Sequence, residues 1–139
     1  MDKEVVSAKL ESLRKCVQRI REKTPSSAAA LVEDVDLQDI ICVNLERAVQ
    51  LCIDLASHII AETEMPAPGS MAESFEQLRM LDLISRDLAV RMKKAVGFRN
   101  IAVRAYQEIN WKIVYSTVTT RRADFVDFAK AVSKAADLP

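Results

Sequence analysis

Arg99, Asn100, Arg104 and Tyr106 stand close together in a chain with few other residues suited to chemistry. Arginine and asparagine offer planar, fixed hydrogen-bond donors, a set that suits a phosphate. Tyrosine adds a phenol that stacks on a base or donates to an oxygen, though a lone tyrosine more often belongs to a core or an interface. Arg99 also interrupts an apolar stripe. Leu88, Met92, Ala95 and Val96 precede it, and Ala102, Val103 and Tyr106 follow, at the three- and four-residue steps of one helix face. A charge on such a face must be paired or serve a site, because an unpaired buried charge is too costly. The bland alternative is a structural ion pair, for which Asp54 is the natural partner.

The surroundings of Arg99 are basic. Arg91, Lys93, Lys94, Arg99 and Arg104 fall in one stretch without an acid. Such a patch either attracts phosphate or is simply a solvated helix face. Arg104 lies about 140° around an ideal helix from Arg99. The two therefore converge only if the helix ends between them or a second copy of the chain contributes its own pair. Tyr106 returns to nearly the face of Arg99 if the helix persists that far. His58 is the only histidine. It lacks neighbouring Cys or paired carboxylates at ligand spacing, so no metal site and no cofactor are expected, and a hydrogen-bonded role in a polar seam is. No glycine-rich phosphate loop and no nucleophile elbow occurs.

Helices must position these residues. The pattern predicts helix from about Lys3 to Glu22, ended by Thr24-Pro25. A second, central helix is expected from about Leu37 to Ala61, capped by Asp36 with Asp39 three residues on. It carries a polar seam of Arg47, Gln50, Asp54 and His58. Ser70 with Glu73 resembles a capping box opening a short helix to about Leu81. Ser85 caps the helix that carries Arg99, and Gln107-Glu108-Ile109 reads as a connector. Asn110 caps a last helix from Trp111 to about Ala135. Four main helices and one short one, joined by short turns, predict an all-α, antiparallel up-and-down bundle.

Composition agrees. The 139 residues suit a single domain, half are hydrophobic, and there are only two glycines and four prolines. Twenty basic residues balance twenty acidic ones, so net charge carries no information about nucleic acid. Cys16, Cys42 and Cys52 are odd in number and scattered, which predicts reduced, buried thiols in a cytoplasmic protein. The charged start reads as no signal peptide, and no apolar run reaches the roughly 20 residues that span a membrane.

Two segments carry a family resemblance. One is Arg99-Asn100-Ile101-Ala102-Val103 followed by Tyr106, preceded by Lys93-Lys94-Ala95-Val96-Gly97-Phe98. The other is Asn44-Leu45-Glu46-Arg47 with Cys52-Ile53-Asp54-Leu55-Ala56-Ser57-His58-Ile59. Together, in this order, they resemble HEPN domains of the HepT type over essentially the whole chain. The resemblance implies a helical bundle that forms a homodimer. It implies a metal-independent endoribonuclease, the toxin of a prokaryotic toxin–antitoxin pair acting on RNA. Its partner would be a nucleotidyltransferase antitoxin of the MntA type, which transfers AMP to the tyrosine just after the motif, here Tyr106. Arg99 and Asn100 match the family's catalytic pattern, with Asp54 and Arg47 in support.

Arg104 departs from it, because it occupies the family's histidine position. Histidine exchanges protons near neutral pH, whereas arginine stays protonated and acts only as a phosphate ligand and charge stabiliser. Three readings stay open: a natural loss of cleavage with nucleotide or RNA binding retained, an introduced substitution, or weak activity through Arg99 and another base. The alternative to a toxin nuclease is a non-catalytic HEPN module that binds nucleotide, RNA or its partner protein. A third reading is a helical scaffold in which Asp54 neutralises Arg99.

Overall fold

The computed structural model describes residues 2–138, and every regular element among them is helical. Helix α1 spans Lys3–Lys23, and Asp2 caps it by accepting from the amides of Glu4 and Val5. Helix α2 (Ala28–Val32) is a single turn and a half that periodicity did not predict. Ser27 caps its start, and the Gln38 side-chain amide donates to the carbonyls of Leu31 and Val32 at its end. Its last carbonyls are thus satisfied from another helix, which no local pattern encodes.

Helix α3 (Val35–Ile60) is the longest, at 26 residues. Asp34, rather than Asp36, is its cap: the Asp34 carboxylate accepts from Leu37 N at 3.0 Å, and Asp36 already lies in the first turn. Helix α4 (Met71–Met80) starts at Ser70 as expected. The reciprocal bond differs by one position, since Glu73 accepts from the amide of Gly69 at 2.7 Å. Helix α5 (Arg86–Arg104) is capped by Ser85, and a 3₁₀ turn (Tyr106–Glu108) follows it.

The expected last helix is two. Helix α6 (Trp111–Thr120), capped by Asn110, breaks at Arg121 before α7 (Arg122–Ala135). Thr117, Thr119 and Thr120 turn their hydroxyls back onto carbonyls one turn earlier, which bends and weakens a helix from within. The break frees the two halves to pack separately, α6 against α2 and α7 against α1, α3 and α5. The all-helical class therefore stands, while the element count rises to seven α-helices among the described residues.

Helix α3 forms the centre. Helices α1 and α5 run antiparallel to it, as pairings of rising with falling residue numbers show. Lys9 of α1 reaches Asp54, while Cys16, farther along α1, lies in the field of Arg47. Arg99 of α5 reaches Gln50, while Tyr106 beyond it reaches Asp39. Ile41, Leu45, Val49, Cys52, Leu55 and Ile59 supply the central stripe of the core. Phe75 of α4 meets Phe128 of α7 edge to face, with centroids 5.5 Å apart, and both rings are fully buried.

Candidate functional site

The second half of α5 presents the candidate residues, and its neighbours decide what each can do. Leu88, Met92, Val96 and Ala102 are buried as the stripe predicts. The stripe then turns outward, leaving Val103 54% and Tyr106 40% exposed. Val103 still lies within α5, whereas Tyr106 leaves the stripe because α5 stops at Arg104, where Ala105 takes φ −140°, ψ 47°. Arg99 and Arg104 thus sit on one unbroken helix, facing different directions. Within one chain they do not converge, and Tyr106 does not return to the Arg99 face.

Arg99 is half-buried, and no carboxylate pairs with it among the described residues. One terminal nitrogen donates to Gln50 Oε1 at 3.2 Å. The other lies 3.6 Å from Met71 Sδ and 3.5 Å from Asn100 Oδ1. The expected ion pair with Asp54 is replaced by a relay. Gln50 Nε2 donates to Asp54 Oδ1 at 2.9 Å, and Asp54 meets Lys9 of α1 at 3.5 Å. Lys9 neutralises the carboxylate, and the neutral amide of Gln50 presents its oxygen to the guanidinium. Arg99 is oriented without being discharged. A partly desolvated arginine in that state is suited to an external anion.

The basic stretch is smaller than its sequence suggests. Arg91 is held by Asp124 at 2.7 Å, Asp87 at 2.9 Å and Asp127 at 3.1 Å. Lys93 is held by Glu76 at 2.6 Å. Both residues join α5 to a neighbouring helix and are unavailable to a ligand. Lys94 and Arg104 are exposed and carry no ion pair among the described residues. The other seam residues divide likewise. Arg47 is exposed and lies near Cys16 of α1. His58 is half-buried, and its buried Nε2 makes no hydrogen bond, contrary to the expected hydrogen-bonded role. Among the described residues no cluster of three or more His, Cys, Asp or Glu is placed to hold a metal ion.

Tyr106 occupies a separate corner. Its hydroxyl donates to Asp39 Oδ1 of α3 at 2.6 Å, and its ring packs edge-on against Trp111 with centroids 5.7 Å apart. Partial burial, then the hydrogen bond to Asp39, push the phenol well above its ordinary pKa. The sequence presents Asp39 only as the acid three residues after the expected cap Asp36. The 67 residues that separate it from Tyr106 left no local signal of this contact.

A groove of about 480 Å³ opens between α5 and α6, lined by Phe98, Ile101, Ile113 and Thr117 among others, and none of Arg99, Asn100, Arg104 and Tyr106 lines it. Ile101 is 48% exposed and Ile113 62%. Among the described residues no helix is long and apolar enough to cross a membrane.

An all-helical domain that displays an oriented, uncompensated arginine at the end of a long helix is suited to anionic ligands. Comparison with known proteins gives the family. The Ribonuclease HepT-like family model matches residues 13–132, and the chain belongs to that family. It is 34% identical over 129 residues to the mRNA nuclease HepT of Shewanella oneidensis, covering 93% of this chain and 96% of that one. It is similar in structure to the tri-AMPylated Shewanella oneidensis HEPN toxin solved in complex with an MNT antitoxin. The TM-score is 0.89 at 34% identity, over 96% of this chain and 99% of the other. A toxin–antitoxin structure solved with AMP-PNP matches with the same TM-score at 32% identity, over 95% and 99% of the two chains.

Proposed function

We propose that this chain is the toxin of a prokaryotic toxin–antitoxin pair, descended from a metal-independent endoribonuclease and acting as a homodimer. In this reading Arg99, Asn100 and Arg104 of two protomers line one RNA-binding cleft, with Asp54 and Arg47 behind them. A cognate MntA-type nucleotidyltransferase places AMP on Tyr106, and the added bulk and negative charge oppose RNA in that cleft. The observation that carries the reading is Arg99: a half-buried guanidinium turned to an amide oxygen and left without a carboxylate. The family and its AMP-bearing, antitoxin-bound relatives support the partner. The exposed Ile101 and Ile113 beside the groove support a second copy, because soluble monomers seldom leave clustered apolar side chains in water.

Cleavage through the ribose 2′-hydroxyl needs a proton acceptor, a proton donor to the leaving oxygen, and charge stabilisation at phosphorus. Arg99 and Arg104 supply the last. Neither exchanges a proton near neutral pH, and His58 makes no hydrogen bond to any residue of the Arg99 relay. This chain therefore binds RNA through the cleft and lacks the proton chemistry to cut it efficiently. The test is cleavage of a structured RNA, with EDTA present, by the protein and by Arg104→His. Cleavage gained by on the order of 10² or more in the variant supports the reading. No cleavage by a folded, dimeric variant refutes the silenced-nuclease account and leaves a binding module.

A further inference from the structure

The Tyr106–Asp39 contact bears on how AMP transfer proceeds, and the argument rests on the reading of Tyr106 as the acceptor. A phenol attacks the α-phosphorus of a nucleoside triphosphate only if its proton departs as the new bond forms. Burial and the neighbouring acids keep this phenol protonated near neutral pH, so it does not ionise beforehand. The groups facing it from α3 are Asp39, Cys42 and Glu46, on successive turns of one face, and none of them is a cation. The Tyr106 ring also makes a T-shaped contact with Trp111, which carries no charge. The hydroxyl hydrogen points at a single oxygen, Asp39 Oδ1, at 2.6 Å. Asp39 is itself exposed near the start of α3, and Tyr106 is 40% exposed on the short turn after α5, so both can be approached from solvent.

We propose that Asp39 is a catalytic residue contributed by the acceptor chain itself, orienting the Tyr106 hydroxyl and taking its proton during nucleotidyl transfer. The bond from Tyr106 Oη to the α-phosphorus forms, the bond from that phosphorus to the bridging oxygen breaks, and pyrophosphate leaves. The phenolic proton passes to the Asp39 carboxylate and from there to solvent. The antitoxin supplies the nucleotide, and the toxin supplies both nucleophile and base. The product ester oxygen carries no hydrogen, and its phosphodiester is repelled by Asp39 and Glu46. Transfer therefore also releases the contact that held the 3₁₀ turn against α3.

The experiment is a rate measurement in the complex of this chain with its MntA-type nucleotidyltransferase, using α-labelled ATP. Wild type, Asp39→Asn, Asp39→Glu and Tyr106→Phe are compared. Asparagine keeps an acceptor oxygen but takes no proton, and its exposed position leaves the core untouched. Asp39→Asn should lower kcat for the labelling of Tyr106 by on the order of 10²-fold, with KM for ATP unchanged. Asp39→Glu should recover much of the loss. Wild-type rates in Asp39→Asn overturn the proposal, as does a loss expressed in KM or in weakened complex formation, or a failure of glutamate to do better than asparagine. Labelling that persists in Tyr106→Phe, or is absent in wild type, removes Tyr106 as the acceptor and with it the role of Asp39. Only this last result contradicts the modification reading itself.

Discussion

Arg99 turns its guanidinium to the side-chain oxygen of Gln50, 3.2 Å away, while Asp54, one turn further along α3, is joined to Lys9. One amide thus separates a cation from the carboxylate that would otherwise neutralise it. Gln50→Glu should restore that neutralisation. The variant is expected to bind single-stranded RNA about tenfold more weakly in an anisotropy titration, with unfolding stability slightly lowered because the introduced glutamate loses the donor to Asp54 and faces it as a like charge. Unchanged RNA affinity would show that the charge of Arg99 plays no part in binding.

Arg91 has the opposite role. Three carboxylates surround it, and the side chain of Asp124 is only 11% exposed. Arg91→Met leaves those acids facing each other and should cost about 3 kcal/mol in urea unfolding. Adding Asp124→Leu should return part of the loss, because removing both partners of a buried pair costs less than removing one. A cost below about 1 kcal/mol for the single change would place the pair among weak surface bridges.

Glu76 sets a pH dependence. Arg79, by its hydrogen bond, and then Lys93 hold its carboxyl down to about 2 from 4.5. A depressed acid stabilises the folded chain above its unfolded pKa and loses that contribution as pH falls through the folded value. The stability difference between wild type and Lys93→Met should therefore be constant at neutral pH and shrink between 4.5 and about 2. Urea midpoints across that range test it, and a difference that grows on acidification would contradict it. Both groups are solvated, so added salt should reduce the difference as well.

The three thiols should be inert in the folded state. Burial, and then the charge of Glu46, push Cys42 up to about 12, and burial raises Cys16 and Cys52 too. Reaction with a thiol-disulfide reagent at mildly alkaline pH should be slow natively and prompt for all three in denaturing guanidinium. Fast labelling of any one without denaturant would mean that its helix opens locally.

The sequence by itself determined the helical class and the buried face of α5 from Leu88 to Val96. It also determined the caps at Ser70, Ser85 and Asn110 and the oddity of Arg99 on an apolar stripe. Each is written in residues within a turn or two of one another, where the 3.6-residue period and side-chain capping operate. It also carried the family signature and the departure at Arg104. It did not reveal that Thr117 to Thr120 split the last helix, that Gln38 completes α2, or that Arg91 and Lys93 are occupied by acids of other helices. Nor did it reveal the partners that define the site, Gln50 for Arg99 and Asp39 for Tyr106. These are contacts between helices far apart in the chain. Only packing sets the rotation of α5 against α3, and that rotation decides which side chain stands opposite which. Local periodicity fixes which face of a helix is buried, and tertiary packing fixes what that face meets.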